Sequence, residues 1–217
     1  MILETRAVPP FMKNGYVLGC EATSEGVLID PGDDVDLLLD AVAHHSLKIT
    51  AILLTHAHLD HVTGVAQAKQ ALNAPVWLHE ADNPLYRAVV QQGAMFGLKV
   101  DPQPPVDRFY AENQSLRFGD YEITVHHTPG HCAGGVALAV NGDPRTVGPT
   151  DRRILIVGDT LFAGSIGRTD LPGGDTETLL RSIREVLFSF PEGTPVYPGH
   201  GEPTTIGKEK STNPFLV

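Results

Sequence analysis

Four residues in one short stretch have side chains that bind metal: His56, His58, Asp60 and His61, within Thr55-His56-Ala57-His58-Leu59-Asp60-His61. The stretch follows directly on the apolar run 51–54. It therefore starts as extended chain, in which residues two apart point the same way. His56 and His58 can grip one ion together. Asp60 and His61 come where the chain turns into a helix, so they can aim at a neighbouring point. Imidazole and carboxylate donors suit zinc, iron or manganese. The same pattern of apolar run, tight turn and ligand recurs further along. His131 follows the run 121–126 through Pro129-Gly130, Asp159 follows 154–157 through Gly158, and His200 follows 195–197 through Pro198-Gly199. Ligands at the ends of four strands can converge on one sheet edge, where α/β folds place their sites. A polar loop that is His-rich by chance does not account for three distant repeats of the pattern.

These ligands need strands to carry them. Tyr16–Cys20 and Val27–Ile29 read as paired strands, the second closing on Asp30-Pro31-Gly32. Residues 34–46 read as a helix with Val35, Leu38, Leu39 and Val42 on one face. Strands are predicted at 51–54, 76–78, 116–118, 121–126, 136–140, 154–157 and 195–197. Helices are predicted at 62–72, from Pro84 to about Phe96, and at 176–188 with Leu179, Leu180, Ile183 and Leu187 on one side. Residues 101–106 read as an extended connection and 141–153 as a polar loop. The mixture of strands and helices, run through twice, predicts two sheets packed together with helices outside. That is a four-layer αββα sandwich of the α/β class, with residues 1–217 as a single domain.

Composition excludes several function classes. The formal net charge is −10 and no Lys/Arg cluster is present, which argues against a nucleic-acid partner. No run approaches the roughly 18–20 apolar residues that cross a bilayer. The N-terminus has no signal-peptide pattern, so a cytoplasmic location is expected. Two cysteines, Cys20 and Cys132, make no disulfide framework and read as reduced thiols. Leu85–Phe96 and Pro214–Val217 offer apolar surface, open to being core or a homo-oligomer contact.

The motifs THAHLDH, TPGH, GDTLF and PGHG together resemble the metallo-β-lactamase superfamily, in particular its glyoxalase II branch. The segments LFAGSIGRTDLPGGD at 161–175 and TTIGKEKSTNPFL at 204–216 resemble the short bacterial glyoxalase II-like proteins, the hydroxyacylglutathione hydrolases. The resemblance implies two divalent metal ions, zinc first and iron or manganese as alternatives. His56, His58 and His131 would hold one, Asp60, His61 and His200 the other, and Asp159 would bridge them. Two cations sharing a water lower its pKa towards ~7 and supply a hydroxide nucleophile, while one polarises the substrate carbonyl. A thioester suits this chemistry because its thiolate leaves as a weak base. Asp60 would orient the hydroxide and carry a proton. The resemblance gives Asp30 a supporting place beside the ligands.

Other candidates are weighed against plainer readings. Cys132, beside His131, reads as packing. His79, His126 and His127 read as hydrogen-bonded structural residues, and His44 and His45 as solvated. Arg168 and Asp170 read equally as a loop-locking ion pair and as a site where Arg168 takes a substrate carboxylate. The expected substrate is a small thioester such as S-lactoylglutathione. The 17 residues after His200 leave no room for the basic C-terminal region with which longer glyoxalase II proteins contact glutathione. The runner-up is a persulfide dioxygenase with one iron, disfavoured by Pro198-Gly199-His200-Gly201. A lactonase or another hydrolase on the same scaffold also fits, and β-lactam cleavage fits less well without an export signal.

Overall fold

The apolar runs that lead into the ligands become strands of two six-stranded sheets in a computed structural model. The structure describes residues 1–111, 114–146 and 153–217. The chain divides into two compact units, Met1–Tyr110 with Phe118–Asp120, and Ala111–Arg117 with Tyr121–Val217.

In the first unit, β1 (Ile2–Val8), β2 (Lys13–Gly19) and β3 (Glu25–Ile29) form an antiparallel meander. Helix α1 (Val35–His44) then crosses to β4 (Lys48–Leu53), which lies parallel to β3. Helices α2 (Leu59–Val62) and α3 (Val65–Leu72) lead to β5 (Val76–Leu78). Helices α4 (Asn83–Arg87) and α5 (Val89–Met95) lead to β6 (Arg108–Phe109), and the sheet runs in chain order from β1 to β6. Because Ile29 pairs with Leu53 in parallel register, Asp30 and Thr55 leave the sheet at the same edge. Val17, Leu28, Ile52 and Leu54 pack with Val35, Leu38 and Val42 of α1 and Val65 and Ala68 of α3. The alternate strand residues Tyr16, Leu18, Val27, Ile29 and Leu53 are buried as well. Burial on both faces explains why these strands are unbroken apolar runs in the sequence.

The second unit holds β7 (Ser115–Phe118), β8 (Tyr121–His127), β9 (Val136–Gly142) and β10 (Arg153–Gly158). A hairpin of β11 (Leu161–Phe162) and β12 (Ser165–Ile166) follows, then helix α6 (Thr176–Glu185). The chain ends through β13 (Pro195–Pro198), β14 (Thr204–Thr205) and α7 (Ile206–Thr212). The sheet order is β14-β13-β10-β9-β8-β7. Ala137, Ala139, Leu155, Val157 and Val196 of this sheet pack with Leu179 and Ile183 of α6 and Ile206 of α7. Each unit therefore supplies one sheet and its helices, the layer composition that the sequence predicts twice over.

Several boundaries differ from the sequence expectation. The helix predicted at 62–72 breaks after α2, because a Cβ on Gly64 would meet the Gly32 carbonyl oxygen at 2.3 Å and the chain turns there. The helix predicted from Pro84 to Phe96 is two short ones meeting at Ala88, with Pro84 in the first turn of α4 as expected. The predicted helix at 176–188 ends at Glu185 and continues as a 3-10 turn, Leu187–Ser189. Strand β1 has no apolar signature in the sequence, because it is an edge strand whose centre is the polar run Glu4-Thr5-Arg6. His45 is not simply solvated: its Nε2 lies 2.8 Å from Glu4 Oε1, whereas His44 is exposed. Of the predicted loop 141–153, residues 147–152 lie outside the described residues. In the two apolar segments, Val89 and Leu216 are core, while Met95 (70%) and Phe215 (53%) are exposed. No described helix is long and apolar enough to cross a membrane.

Leu179 is fully buried between α6 and its sheet. Leu179→Ala should lower the unfolding free energy by about 2–5 kcal/mol, the usual result of emptying a packed leucine site. Urea denaturation followed by circular dichroism measures it, and a loss below about 1 kcal/mol would mean the site collapses around the cavity.

Candidate metal centre

The first ligand set sits where β4 runs into α2. Thr55, His56, His58 and His61 are buried, and Asp60 is partly exposed. The His56 ring lies 4.9 Å from that of His58 and 4.0 Å from that of His61, centroid to centroid. His61 Nε2 is 3.7 Å from Asp60 Oδ2. All four predicted ligands of this stretch are thus brought together.

A buried carboxylate holds the stretch in place. Asp30, 1% exposed, accepts on Oδ1 from the Thr55 backbone N–H at 2.7 Å. Its Oδ2 accepts from the Thr55 hydroxyl at 2.6 Å and from His61 Nδ1 at 2.9 Å. An ionised carboxylate only accepts hydrogen bonds, so the His61 proton is on Nδ1. The Thr55 proton is spent on Asp30, so Thr55 Oγ1 accepts from His56 Nδ1 at 3.1 Å. Both imidazoles therefore carry their lone pair on Nε2, the arrangement that second-sphere carboxylates impose on metal-ligating histidines. Asp30 itself adopts a left-handed φ of 48°, and the Asp-Pro-Gly turn it begins presses on α2. A Cβ on Gly32 would lie 1.8 Å from the Asp60 carbonyl oxygen, so only glycine fits there.

Three more buried polar residues clamp this unit's loops, and the sequence reading missed all of them. Asp82 accepts from the Ala57 N–H at 2.9 Å. Gln92 of α5 accepts from the Leu59 N–H at 3.0 Å and donates to the Ala57 carbonyl at 3.0 Å. Lys13, 2% exposed, donates from Nζ to the Asp30 carbonyl. None belongs to a periodic pattern. The available signal was a lone lysine heading the apolar run KNGYVLG, since a lysine is rarely buried without a partner.

The second ligand set lies in the other unit. His131 follows β8, Asp159 follows β10 and His200 follows β13, as the sequence predicts. Asp159 Oδ2 is 3.6 Å from His131 Nε2 and 3.5 Å from His200 Nε2. Two donors sharing one tetrahedral ion at ~2.0–2.1 Å sit roughly 3.3 Å apart, so Asp159 is spaced to share an ion with His131 and, separately, an ion with His200. His131 Nδ1 donates to the Arg168 carbonyl at 2.8 Å, which again leaves the lone pair on Nε2. The turn before His131 is held by Gly130 at φ 127°, where a Cβ would lie 2.2 Å from the Leu179 nitrogen. Phe162 meets the His200 ring edge-on at 6.1 Å.

The other candidates make contacts outside the two ligand sets. His79 Nδ1 accepts from the Ala81 N–H at 3.3 Å. His127 Nε2 lies 2.9 Å from the Ala133 carbonyl. His126 packs edge-on against Phe190 at 5.3 Å, and burial lowers its pKa. Cys132 is buried, and neither it nor Cys20 is in a disulfide. The Arg168 guanidinium is bound by Asp170 through two contacts of 2.7 Å, which hold the Asp170 carboxyl down at about 2.

Residues 8–200 match the model of the metallo-beta-lactamase superfamily. The chain belongs to that superfamily. It is 34% identical to the hydroxyacylglutathione hydrolase GloC of Haemophilus influenzae over 218 residues, covering 100% of this chain and 98% of the relative. Among solved structures it is similar to the B3 metallo-beta-lactamase BLEG-1, with a TM-score of 0.87, 36% identity and full coverage of both chains. It is also similar to TTHA1623 in a di-iron-bound form, with a TM-score of 0.83 and 41% identity over 98% of this chain and 100% of the other. The chain has the metallo-β-lactamase fold. It is a metal-dependent hydrolase of that superfamily, and its His/Asp donors fit divalent metal ions.

Asp30→Ala should weaken zinc binding by about 10–100-fold, because His61 and Thr55 lose the acceptor that orients them. Competition against a chromophoric chelator measures this. A variant that folds and binds zinc within about twofold of wild type would show that the loop orients its own ligands without Asp30.

Proposed function

We propose that the two ligand sets serve one two-metal centre in a single metallo-β-lactamase-fold domain, and that the enzyme hydrolyses S-2-hydroxyacylglutathione thioesters such as S-lactoylglutathione. His56, His58 and His131 hold one ion, Asp60, His61 and His200 the other, and Asp159 serves both. The observation that supports the reading is the hydrogen bonding of His56, His61 and His131 at Nδ1, which leaves each Nε2 lone pair available to a metal. The family match spans both units, in keeping with one domain.

Two divalent ions bound there would supply Lewis acidity, lowering the pKa of a water and polarising the acyl carbonyl. The residues of the chain do the positioning. Asp60 Oδ2, beside His61 Nε2 and 13% exposed, is placed to accept the proton of the attacking water and pass it to solvent. Thioester cleavage needs no Ser or Cys nucleophile, and buried Cys132 is given no part in it. The preference for a glutathione thioester is supported by the relative named hydroxyacylglutathione hydrolase. Zinc is the ion we assign. Iron is the alternative, supported by the related di-iron structure, and manganese fits the same donors.

Arg168 is assigned to a carboxylate of the substrate. Its side chain and that of Asp170 are 55% and 68% exposed, so their ion pair is of the screened kind that contributes little and exchanges readily. Arg168→Ala should raise KM several-fold and leave kcat nearly unchanged, as measured by initial rates across substrate concentration. An unchanged KM would return Arg168 to the role of loop lock.

The deciding experiment is metal analysis with parallel assays on S-lactoylglutathione, a lactone, a β-lactam and glutathione persulfide. The expected result is two metal ions per chain and fastest turnover of the thioester, with kcat falling about 10²-fold or more in Asp60→Asn. Preferential cleavage of the lactone or β-lactam would reassign the substrate. One iron per chain with oxygen uptake on the persulfide would replace hydrolysis by a persulfide dioxygenase.

A further inference from the structure

Glu209 is a fully buried carboxylate on α7, outside both ligand sets. Its Oε1 accepts from the Thr204 hydroxyl at 2.5 Å. Its Oε2 accepts from the Gly164 N–H and from Asn213 Nδ2, both at 2.8 Å. The three donors are neutral. A carboxylate taken out of water is costly unless hydrogen-bonded throughout, so this geometry tolerates little drift. Asn213, likewise buried, also donates from Nδ2 to the Ser165 carbonyl at 3.0 Å. Helix α7 and its C-cap residue Asn213 thus hold Gly164, in the turn of the β11–β12 hairpin, and Ser165, the first residue of β12.

That hairpin reaches every ligand of the second set. It starts two residues after Asp159, and its Phe162 ring abuts His200. Its return strand leads to Gly167, where a Cβ would lie 1.9 Å from the Asp159 carbonyl oxygen and 3.2 Å from His131 Nδ1. The next residue, Arg168, supplies the carbonyl that orients His131. A hairpin of two-residue strands has little stability of its own. Its position is set by what grips its turn.

We propose that Glu209 and Asn213 are positioning residues for His131, Asp159 and His200, acting through the 161–166 hairpin. The inference rests on reading those three residues as metal ligands. It gives the C-terminal segment 204–216 a role in metal binding.

The test is zinc affinity of the full-length protein by chelator competition, alongside the melting temperature of the metal-stripped protein. Glu209→Ala and Asn213→Ala should weaken zinc binding by about 10–100-fold per folded molecule, with Thr204→Val moving the same way by less. In the thioester assay kcat should fall while KM changes little. Glu209→Gln should restore near-wild-type affinity: its amide oxygen accepts from Gly164 and Asn213, and its NH₂ turns to Thr204, whose hydroxyl can accept. A role in stability alone would lower the melting temperature and leave zinc affinity unchanged, and that result overturns the proposal. If Glu209→Ala does not fold, Asn213→Ala and Thr204→Val decide the matter on the same readout. A wild-type protein that binds no zinc, iron or manganese would remove the metal reading and this inference with it. Wild-type binding with unchanged variants removes only the inference.

Discussion

The carboxylate of Asp30 is the interaction on which the first ligand set depends. It is buried, acceptor-only, and surrounded by three donors from the segment that carries His56, His58, Asp60 and His61. Those bonds position the loop through the Thr55 backbone, and they place the protons of His61 and, by way of the Thr55 hydroxyl, His56. A charge this deeply buried would be expelled or neutralised without such partners. The loop would equally lack a reason to keep both Nε2 atoms unprotonated. Carboxylate and loop are therefore conditions for one another, and the parallel pairing of β3 with β4 brings them to the same sheet edge.

The second ligand set is oriented by other means. His131 is held by a backbone carbonyl rather than a carboxylate, and Asp159 and His200 are bordered by a small hairpin. A carbonyl carries less charge than a carboxylate, so it fixes the tautomer of His131 while raising its basicity less. Precision here comes from the path of residues 160–168. Glycine 167 permits the close approach to Asp159, and buried side chains on α7 hold the turn. One set relies on an electrostatic hub, the other on a shaped loop held by several hydrogen bonds.

What was legible in the sequence follows from this difference. Of the seven candidate ligands, four lie in one short stretch just after β4 and three follow strands through Gly or Pro-Gly turns, so residue type and local spacing reveal them. The strands that carry them are buried on both faces and show as unbroken apolar runs. Asp82, Gln92 and Glu209 were not legible, because each acts across 25 to 45 residues of chain on a backbone group that has no sequence signature. Gln92 even lies on the buried side of α5, where a polar residue looks like an interruption of the apolar face. Its amide is there because the Ala57 carbonyl and the Leu59 N–H have no strand partner once the chain leaves β4. The split of the helix at Gly64 was hidden for the same reason: its cause is a contact with Gly32, thirty-two residues away.

The physical division between scaffold and surface also bears on substrate. Most of the side chains that brace the candidate ligand loops are buried, among them Asp30, Asp82, Gln92, Glu209 and Asn213, and Gly32, Gly130 and Gly167 are packed against neighbouring backbone. Replacing any of them strands a polar group or forces two backbones apart, so the machinery for activating water has little freedom to vary. Arg168 and Asp170, by contrast, have exposed side chains tied to one another by contacts that solvent screens. Changing them leaves the metal donors in place. A superfamily built this way can keep one reaction type while its members take different acyl groups, which is how the present chain can be similar at once to a protein named for a glutathione thioester and to one named for a β-lactam. Specificity therefore has to be sought in the exposed loops, where side chains exchange partners cheaply, and not in the cage of histidines and aspartates.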